Sequence, residues 1–317
     1  MSIEIYIAIA VTLIGATTPI LLAATGELVV EKSGVLNLGV EGMMLVGAVT
    51  AVAVSLIGAF NPDLAWMGNP YFAAIAGAIA GMLSSLIFAV LTLSLSANQT
   101  ATGLALTIFG IGFSALAGDP LSGRPIAKMP PLIPWGADDP ILRLFFAHSA
   151  LVWFSLLMVV AVWWFLKKTR SGLILRAVGE NDLSAHSIGY SVTRVRYAAV
   201  AFGGAMAGLA GAAFPLLLTP QWAQGMTAGR GWIAVALVVF ASWRPFRLLA
   251  GAYLFGLVMT LELYSKSGQT LLSSIPSELW AALPYLATIL VLVLISMRPG
   301  GSTSAPACLG KPFVPST

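Results

Sequence analysis

The sequence predicts an all-α fold, a polytopic bundle of about nine membrane-spanning helices within a range of about eight to ten. Three observations predict it. The 317 residues are 58% hydrophobic and 9% charged, where a soluble domain carries about 25% charge. Mean hydropathy is +0.93, more apolar surface than a core of this size needs, so the outside must be apolar as well. Uncharged runs near the roughly 20 residues that cross a bilayer as helix recur along the chain.

These runs place spans at 5–24, 37–60, 71–95, 99–117, 147–166, 197–218, 226–243, 247–264 and 280–297. The first has no Lys or Arg before Lys32. It lacks the basic start of a signal peptide and reads as a retained span. The seventh is the weakest, because its clean apolar part, 231–243, reaches only about 20 Å as helix. Small residues recur at four-residue spacing: Gly77 and Gly81, Gly204 and Gly208, and the adjacent stripe Gly203, Ala207 and Gly211. That spacing lets helix backbones approach closely and predicts a tightly packed bundle. Residues 1–298 read as one membrane domain. Residues 299–317 have no periodic pattern and read as a disordered cytoplasmic tail.

Orientation follows from where the basic residues lie. The segment 167–196 holds Lys167, Lys168, Arg170, Arg176, Arg194 and Arg196 against Glu180 and Asp182, and is expected inside. Arg244, Arg247 and Arg298 follow the same side. The 118–146 loop balances Arg124, Lys128 and Arg143 with Asp119, Asp138 and Asp139, and is expected outside. The N-terminus is then outside and the C-terminus cytoplasmic.

One stretch breaks the apolar pattern. GELVVEKSGVLNLGVEGMM (26–44) holds Glu27, Glu31 and Glu41, three of the 12 acidic residues, with Asn37 among them. At helical spacing, positions 27, 31, 34, 38 and 41 fall near one face, with a bend near Ser33–Gly34. A polar stripe at membrane depth must face protein or water. Asn37, Glu41, Asn98, Gln99, Thr102 and Glu262 are therefore candidates for a translocation path or for locking helices together. Asn98 and Gln99 would equally serve as a helix cap, and Glu262 is close enough to its span end to reach water. Arg230, between two glycines, is expected at the outer entrance of the short seventh span.

The segment 167–196 carries a second signal. Asn181 and Asp182 form a helix start, 183–188 a short helical run, and Gly189 a stop. A short capped helix on a basic loop is a docking element; an ordinary interfacial loop would look the same. Other chemistry has no support. There is no GxxxxGK[ST] phosphate loop, no HExxH and no GxSxG, so neither ATP hydrolysis nor another enzymatic activity is expected in this chain. Cys308 is the one cysteine, and His148 and His186 are the two histidines. No metal, cofactor or nucleic-acid partner is called for.

Five segments, in order, carry a family resemblance: TTPILLAATGELVVEKSGVLNLGVEGMMLVGA, ANQTATGLALTIFGIG, RSGLILRAVGENDLSAHSIGYSV, AFGGAMAGLAGA and GRGWIAVALVVFASWRP. Together they resemble the permease subunit of bacterial ABC importers for nucleosides and simple sugars, the ribose-type family. They are most similar to the shorter permease of nucleoside uptake systems. The resemblance implies a multi-pass protein of the bacterial inner membrane. It implies a second permease subunit as heterodimer partner, a separate cytoplasmic ABC ATPase, and an extracytoplasmic binding protein or lipoprotein facing the 118–146 loop. It places ATPase coupling at Gly179, Glu180, Asn181, Asp182, Leu183, His186, Ile188 and Gly189. The expected function is translocation of nucleosides or related small polar solutes by alternating access. A simple-sugar ABC permease and an ion-coupled secondary transporter are the alternatives.

Overall fold

In the computed structural model, the described residues are 3–133, 142–265 apart from 143 and 145, isolated positions between 276 and 293, and 305–313. Among them the chain is helical, with only isolated bridges between loop residues. The helices are α1 (Ile3–Lys32), α2 (Val40–Phe60), α3 (Pro70–Ala89), α4 (Gln99–Gly118), α5 (Ala150–Lys168), α6 (Arg170–Glu180), α7 (Asp182–Ser187), α8 (Val192–Ala213), α9 (Arg230–Phe240) and α10 (Pro245–Ser265). Widened π turns extend α3 over Val90–Ser94 and α8 over Phe214–Leu218.

Among the described residues, seven helices are long and apolar enough to cross a membrane: Tyr6–Lys32, Val40–Phe60, Pro70–Ser94, Gln99–Leu121, Ala150–Lys168, Val192–Leu218 and Pro245–Tyr264. The chain is thus a multi-pass membrane protein. The expected count of nine is not reached among the described residues, for two separate reasons. The span expected at 226–243 is helical only over Arg230–Phe240, about 16 Å at 1.5 Å per residue and half of a roughly 30 Å hydrocarbon core. The span expected at 280–297 lies largely outside the described residues, as does 134–141 of the expected outer loop.

α8 is the centre of the bundle and packs most extensively against α3, α1 and α2. The glycines explain how. A Cβ on Gly208 would lie 2.8 Å from the Gly81 Cα, and one on Gly77 would lie 2.8 Å from the Ala212 Cβ. A Cβ on Gly204 would meet the Gly81 carbonyl at 2.7 Å. The α3–α8 crossing is therefore backbone against backbone, with no room for a side chain. The opposite face of α3 presents Ile75, Ile79, Leu83 and Ile87, all exposed, as a lipid-facing helix at i, i+4 spacing must.

At one end of the bundle the loop after α4 is laced to the segment after α8. The amide of Ile126 donates to the Pro220 carbonyl (2.9 Å), and that of Met129 to the Leu216 carbonyl (2.9 Å). Trp222, 3% exposed, packs with Leu45, Val49 and Leu56 of α2. From there, 223–229 leads the chain into the bundle to the start of α9.

Candidate functional site

The acidic stretch 26–44 is not one helical face. α1 runs on to Lys32, well past the expected end at 24, and α2 begins at Val40 rather than 37. Gly34 (φ +89°) turns the chain in the linker 33–39. The bend near Ser33–Gly34 is where the sequence places it, but the three carboxylates diverge, each to its own set of donors. The physical reason is depth. A carboxylate buried in an apolar bundle must find donors, and no single face offers enough of them.

Glu27 takes the Asn37 amide at 3.3 Å, which folds the linker back along α1. Glu31 accepts from the indole N–H of Trp243 at 2.6 Å. Glu41 accepts three bonds: the Thr227 hydroxyl (2.6 Å), the Gly229 amide (2.8 Å) and the Gly231 amide (2.6 Å). The last two belong to the cap and first turn of α9, whose amides have no intrahelical partner. A carboxylate there also meets the positive end of the helix dipole. The loop is shaped for it, since Ala228 (φ +49°) and Gly229 (φ +79°) are both left-handed. For alanine that conformation is strained and persists only where its surroundings enforce it. Gly231 is sterically required as well, because a Cβ there would lie 2.6 Å from the Glu41 Cα.

The short helix α9 is thus held at both ends by acids from one stretch. Glu41 grips its N-terminus, and Glu31 grips Trp243 just beyond its C-terminus. Ser242 (φ +50°) and Trp243 (φ +55°) make a second left-handed pair there, and the Lys32 ammonium lies 5.9 Å from the Trp243 ring centre. The sequence reading missed Thr227, Gly231 and Trp243 as partners. Their signal is present in the glycine–Arg–glycine run and in the Trp that closes the apolar segment.

Arg230 stands between the two amides that Glu41 holds. Its guanidinium donates to the Met226 and Thr227 carbonyls (both 3.3 Å) and lies 5.1 Å from the Phe214 ring centre. With the N-terminus outside, the first span would place 26–44 at the cytoplasmic end, whereas Arg230 is expected at the outer entrance; the two expectations conflict, because Glu41 holds the amides on either side of Arg230. The chain enters the bundle before α9 begins, which is why the span is short. Arg230 lines a cavity of about 990 Å³ with Thr12, Lys128, His148, Thr219 and Glu262. Glu262 and Arg230, far apart in sequence, therefore share one wall system.

The remaining candidates sort by contact. Asn98 is the N-cap of α4 and accepts from the Ala101 amide at 3.0 Å. Gln99 is buried; its Oε1 accepts from the Leu36 amide at 2.8 Å and its Nε2 donates to the Lys311 carbonyl at 3.4 Å. Thr102 is half-buried on the following turn. Thr107 donates to the Leu38 carbonyl at 2.9 Å. The linker 33–39 is therefore anchored to α4 as well as to α1.

At the far end of the linker stands an elbow, α6–α7. Asn181 caps α7 by accepting from the Ser184 amide at 2.9 Å, and Gly189 (φ +93°) closes it. Leu183, Ile188 and Tyr190 are exposed, Ile188 by 72%. Gly179 is buried against Lys32 and Gly34, while Glu180 and His186 are exposed. Asp182 is paired with Arg196 (Nη2–Oδ2 3.1 Å). Arg196 is fully buried. It also donates through Nε to the Ser33 carbonyl and through Nη1 to the Lys311 carbonyl, each 3.3 Å. One planar guanidinium, with donors in a fixed fork, thus joins the elbow to the linker. The sequence reading counted Arg196 only as one of several basic residues. A charge at the start of an apolar helix is the signal that could have marked it.

Among the described residues, no group of three or more His, Cys, Asp or Glu could hold a metal.

The comparisons with known proteins agree with this architecture. Residues 9–293 match the family described as branched-chain amino acid transport system / permease component. The chain is 39% identical to the "Putative glucose ABC transporter permease protein TsgC13" of Haloferax volcanii, over 89% of this chain and 90% of that protein. It is 31% identical to the guanosine ABC transporter permease NupQ of Bacillus subtilis, over 93% of each. It is 30% identical to the nucleoside ABC transporter permease NupC of Lactococcus lactis, over 95% of this chain and 94% of that protein. With seven membrane-length helices among the described residues and a match across nearly its whole length, the chain belongs to this family of ABC transporter permease components.

Proposed function

We propose that the chain is the inner-membrane permease subunit of an importer for nucleosides, driven by a separate ATPase and paired with a second permease, with its C-terminus cytoplasmic. The observation that carries this reading is the exposed elbow joined through buried Arg196 to the linker that leads into Glu41 at the start of α2. Leu183 and Ile188 offer an apolar docking face on a capped helix, as a partner-binding element does. A push on the elbow reaches Asp182, Arg196 and Ser33, then the linker, then Glu41 and the start of α9. Arg230 sits there and faces the cavity. The cavity lies in the usual range for small-molecule sites, roughly 300–1,000 Å³. Its polar lining, Thr12, Lys128, His148, Thr219, Arg230 and Glu262, suits a neutral solute rich in donors and acceptors. Asn37, Gln99 and Glu41 act on this path as positioning residues, and an extracytoplasmic binding protein delivers the solute.

The nucleoside reading draws on the Bacillus and Lactococcus relatives. A simple-sugar reading stands beside it because the Haloferax relative, named for glucose, is 39% identical. Uptake of labelled guanosine and labelled glucose into vesicles containing the full assembly separates the two. ATP-dependent guanosine uptake, unaffected by excess glucose, is expected. Uptake by this chain alone on an ion gradient would overturn the ABC reading. Ser184→Pro removes the amide that Asn181 caps and disfavours the helical backbone of Leu183 before it, which weakens α7. The expected result is continued ATP hydrolysis with little transport, in a variant present in the membrane at native level.

A further inference from the structure

Residues 305–313 were expected to lie in a tail without fixed structure. Instead they are held against the elbow and the linker. Pro306 and Pro312 bar the segment from continuous helix, so its backbone groups must pair elsewhere. They pair with the two elements that the proposed coupling route connects. The Cys308 amide donates to the Gly179 carbonyl of α6 (3.0 Å), and the Gly310 amide to the Gly34 carbonyl of the linker (3.1 Å). The Lys311 carbonyl receives Arg196 and Gln99. Leu309 packs on the main core. Phe313 packs on Val178, Ala185 and Val192, with its ring 5.4 Å from that of His186 on α7.

Two glycines make this close approach possible. A Cβ on Gly34 would lie 3.0 Å from the Arg196 guanidinium and 3.4 Å from the Cys308 Cβ. Gly310 takes a left-handed φ of +74°, which lets its amide turn onto the Gly34 carbonyl. Without the segment, the Gly179 and Gly34 carbonyls lose these donors. Arg196, fully buried, loses one of its three acceptors, and Gln99 loses the acceptor of its amide. The elbow and the linker would then be joined by the Asp182–Arg196–Ser33 path and by the packing of Gly179 on Lys32 and Gly34, without the strap's added hydrogen bonds.

We propose that 305–313 is an intramolecular strap that fixes the elbow to the linker, so that displacement of α7 is delivered to Gly34 and Gln99 together. This rests on α6–α7 being the ATPase contact. The strap positions; it touches neither solute nor nucleotide. Its expected signature is a loss of transport per ATP, with ATP hydrolysis itself retained.

The test uses the full assembly in proteoliposomes and reads solute moved per ATP hydrolysed. A chain stopped after residue 304 is expected to retain ATP hydrolysis and to lose most of the coupled transport. Phe313→Ser is the gentler variant. Losing the burial of a half-covered aromatic ring lowers the docked population about fivefold. Cys308, the only cysteine, reports this directly, because maleimide labelling of Cys308 should accelerate as transport per ATP falls. Phe313→Leu should restore both. Faster labelling with native transport per ATP would overturn the strap, as would unchanged labelling, since Phe313 would then not hold the segment. If the truncated chain is lost from the membrane, Phe313→Ser decides. Ser184→Pro in parallel separates the two readings. If it uncouples and Phe313→Ser does not, the strap alone fails. If Ser184→Pro leaves coupling native, the elbow reading fails and the strap with it.

Discussion

Two junctions in this molecule solve the same problem in opposite ways. The α3–α8 crossing is closed by absence: Gly77, Gly81, Gly204 and Gly208 leave backbone on backbone, with the only limit a steric one. The junction of α9 with α1 and α2 is closed by presence: Glu41 and Glu31 reach across and take four donors between them. Dispersion contacts at the first are short-ranged and have one good arrangement. Hydrogen bonds at the second are directional and can be exchanged for others, and left-handed Ala228, Ser242 and Trp243 show that the backbone there is already bent to suit. On the proposed function, the first junction is the part that stays and the second the part that moves. Arg230, beside the second junction, lines the cavity.

Breaking the first junction should have the largest effect. Gly208→Leu drives a side chain into the Gly81 backbone, and overpacking of this kind costs about 3 kcal/mol, near the top of its usual range. The expected result is little folded protein recovered from membranes. Normal recovery and an unchanged unfolding temperature would show that the crossing has slack. Next is Glu41→Ala, which leaves a hydroxyl and two amides without their acceptor. Water entering the space left by the carboxylate can take up part of these donors, so the net cost is about 1–3 kcal/mol for the three together; uptake should fall by about tenfold or more, with Glu41→Gln intermediate. If neither uptake nor assembly changes, the pin at α9 carries no weight.

Smaller effects sharpen the comparison. Trp243→Phe removes one donor from Glu31, whose Oε1 has no hydrogen-bond partner among the described residues, and should lower stability by about 1–3 kcal/mol in detergent unfolding. Trp164→Phe, at an exposed position, is the control, and an equal drop in both would remove Glu31 from the account. Asn98→Ala is expected to be the mildest, costing about 1 kcal/mol as a lost helix cap with uptake nearly native. A severe loss of uptake there would place Asn98 on the path rather than at a cap.

How much of this was legible differs between the two junctions. The glycine crossing could be read directly, because four-residue spacing of small residues is a local pattern with one geometric meaning. The helix start at Asn181 was legible for the same reason. The acidic stretch was recognised as important but misread as a helical face, because the partners of Glu31 and Glu41 lie about 200 positions away and no periodicity encodes them. The short helix was suspected from its 13 apolar residues, yet its true start at Arg230 depends on Glu41 capping it. Arg196 was hidden among surface basics, since burial of a single charge is decided by what folds over it. The segment 305–313 was read as structureless for a related cause: its backbone pairs with α6 and the linker, and two prolines remove every local signal.

The sharpest test is amide hydrogen exchange on the full assembly, with and without a non-hydrolysable ATP analogue. The expected result is that exchange at Gly229 and Gly231 changes between the two states while α8 from Gly203 to Gly211 is equally protected in both. Equal protection at Gly229 and Gly231 in both states, or a change centred on the glycine crossing, would contradict the division of the bundle into a fixed part and a moving one.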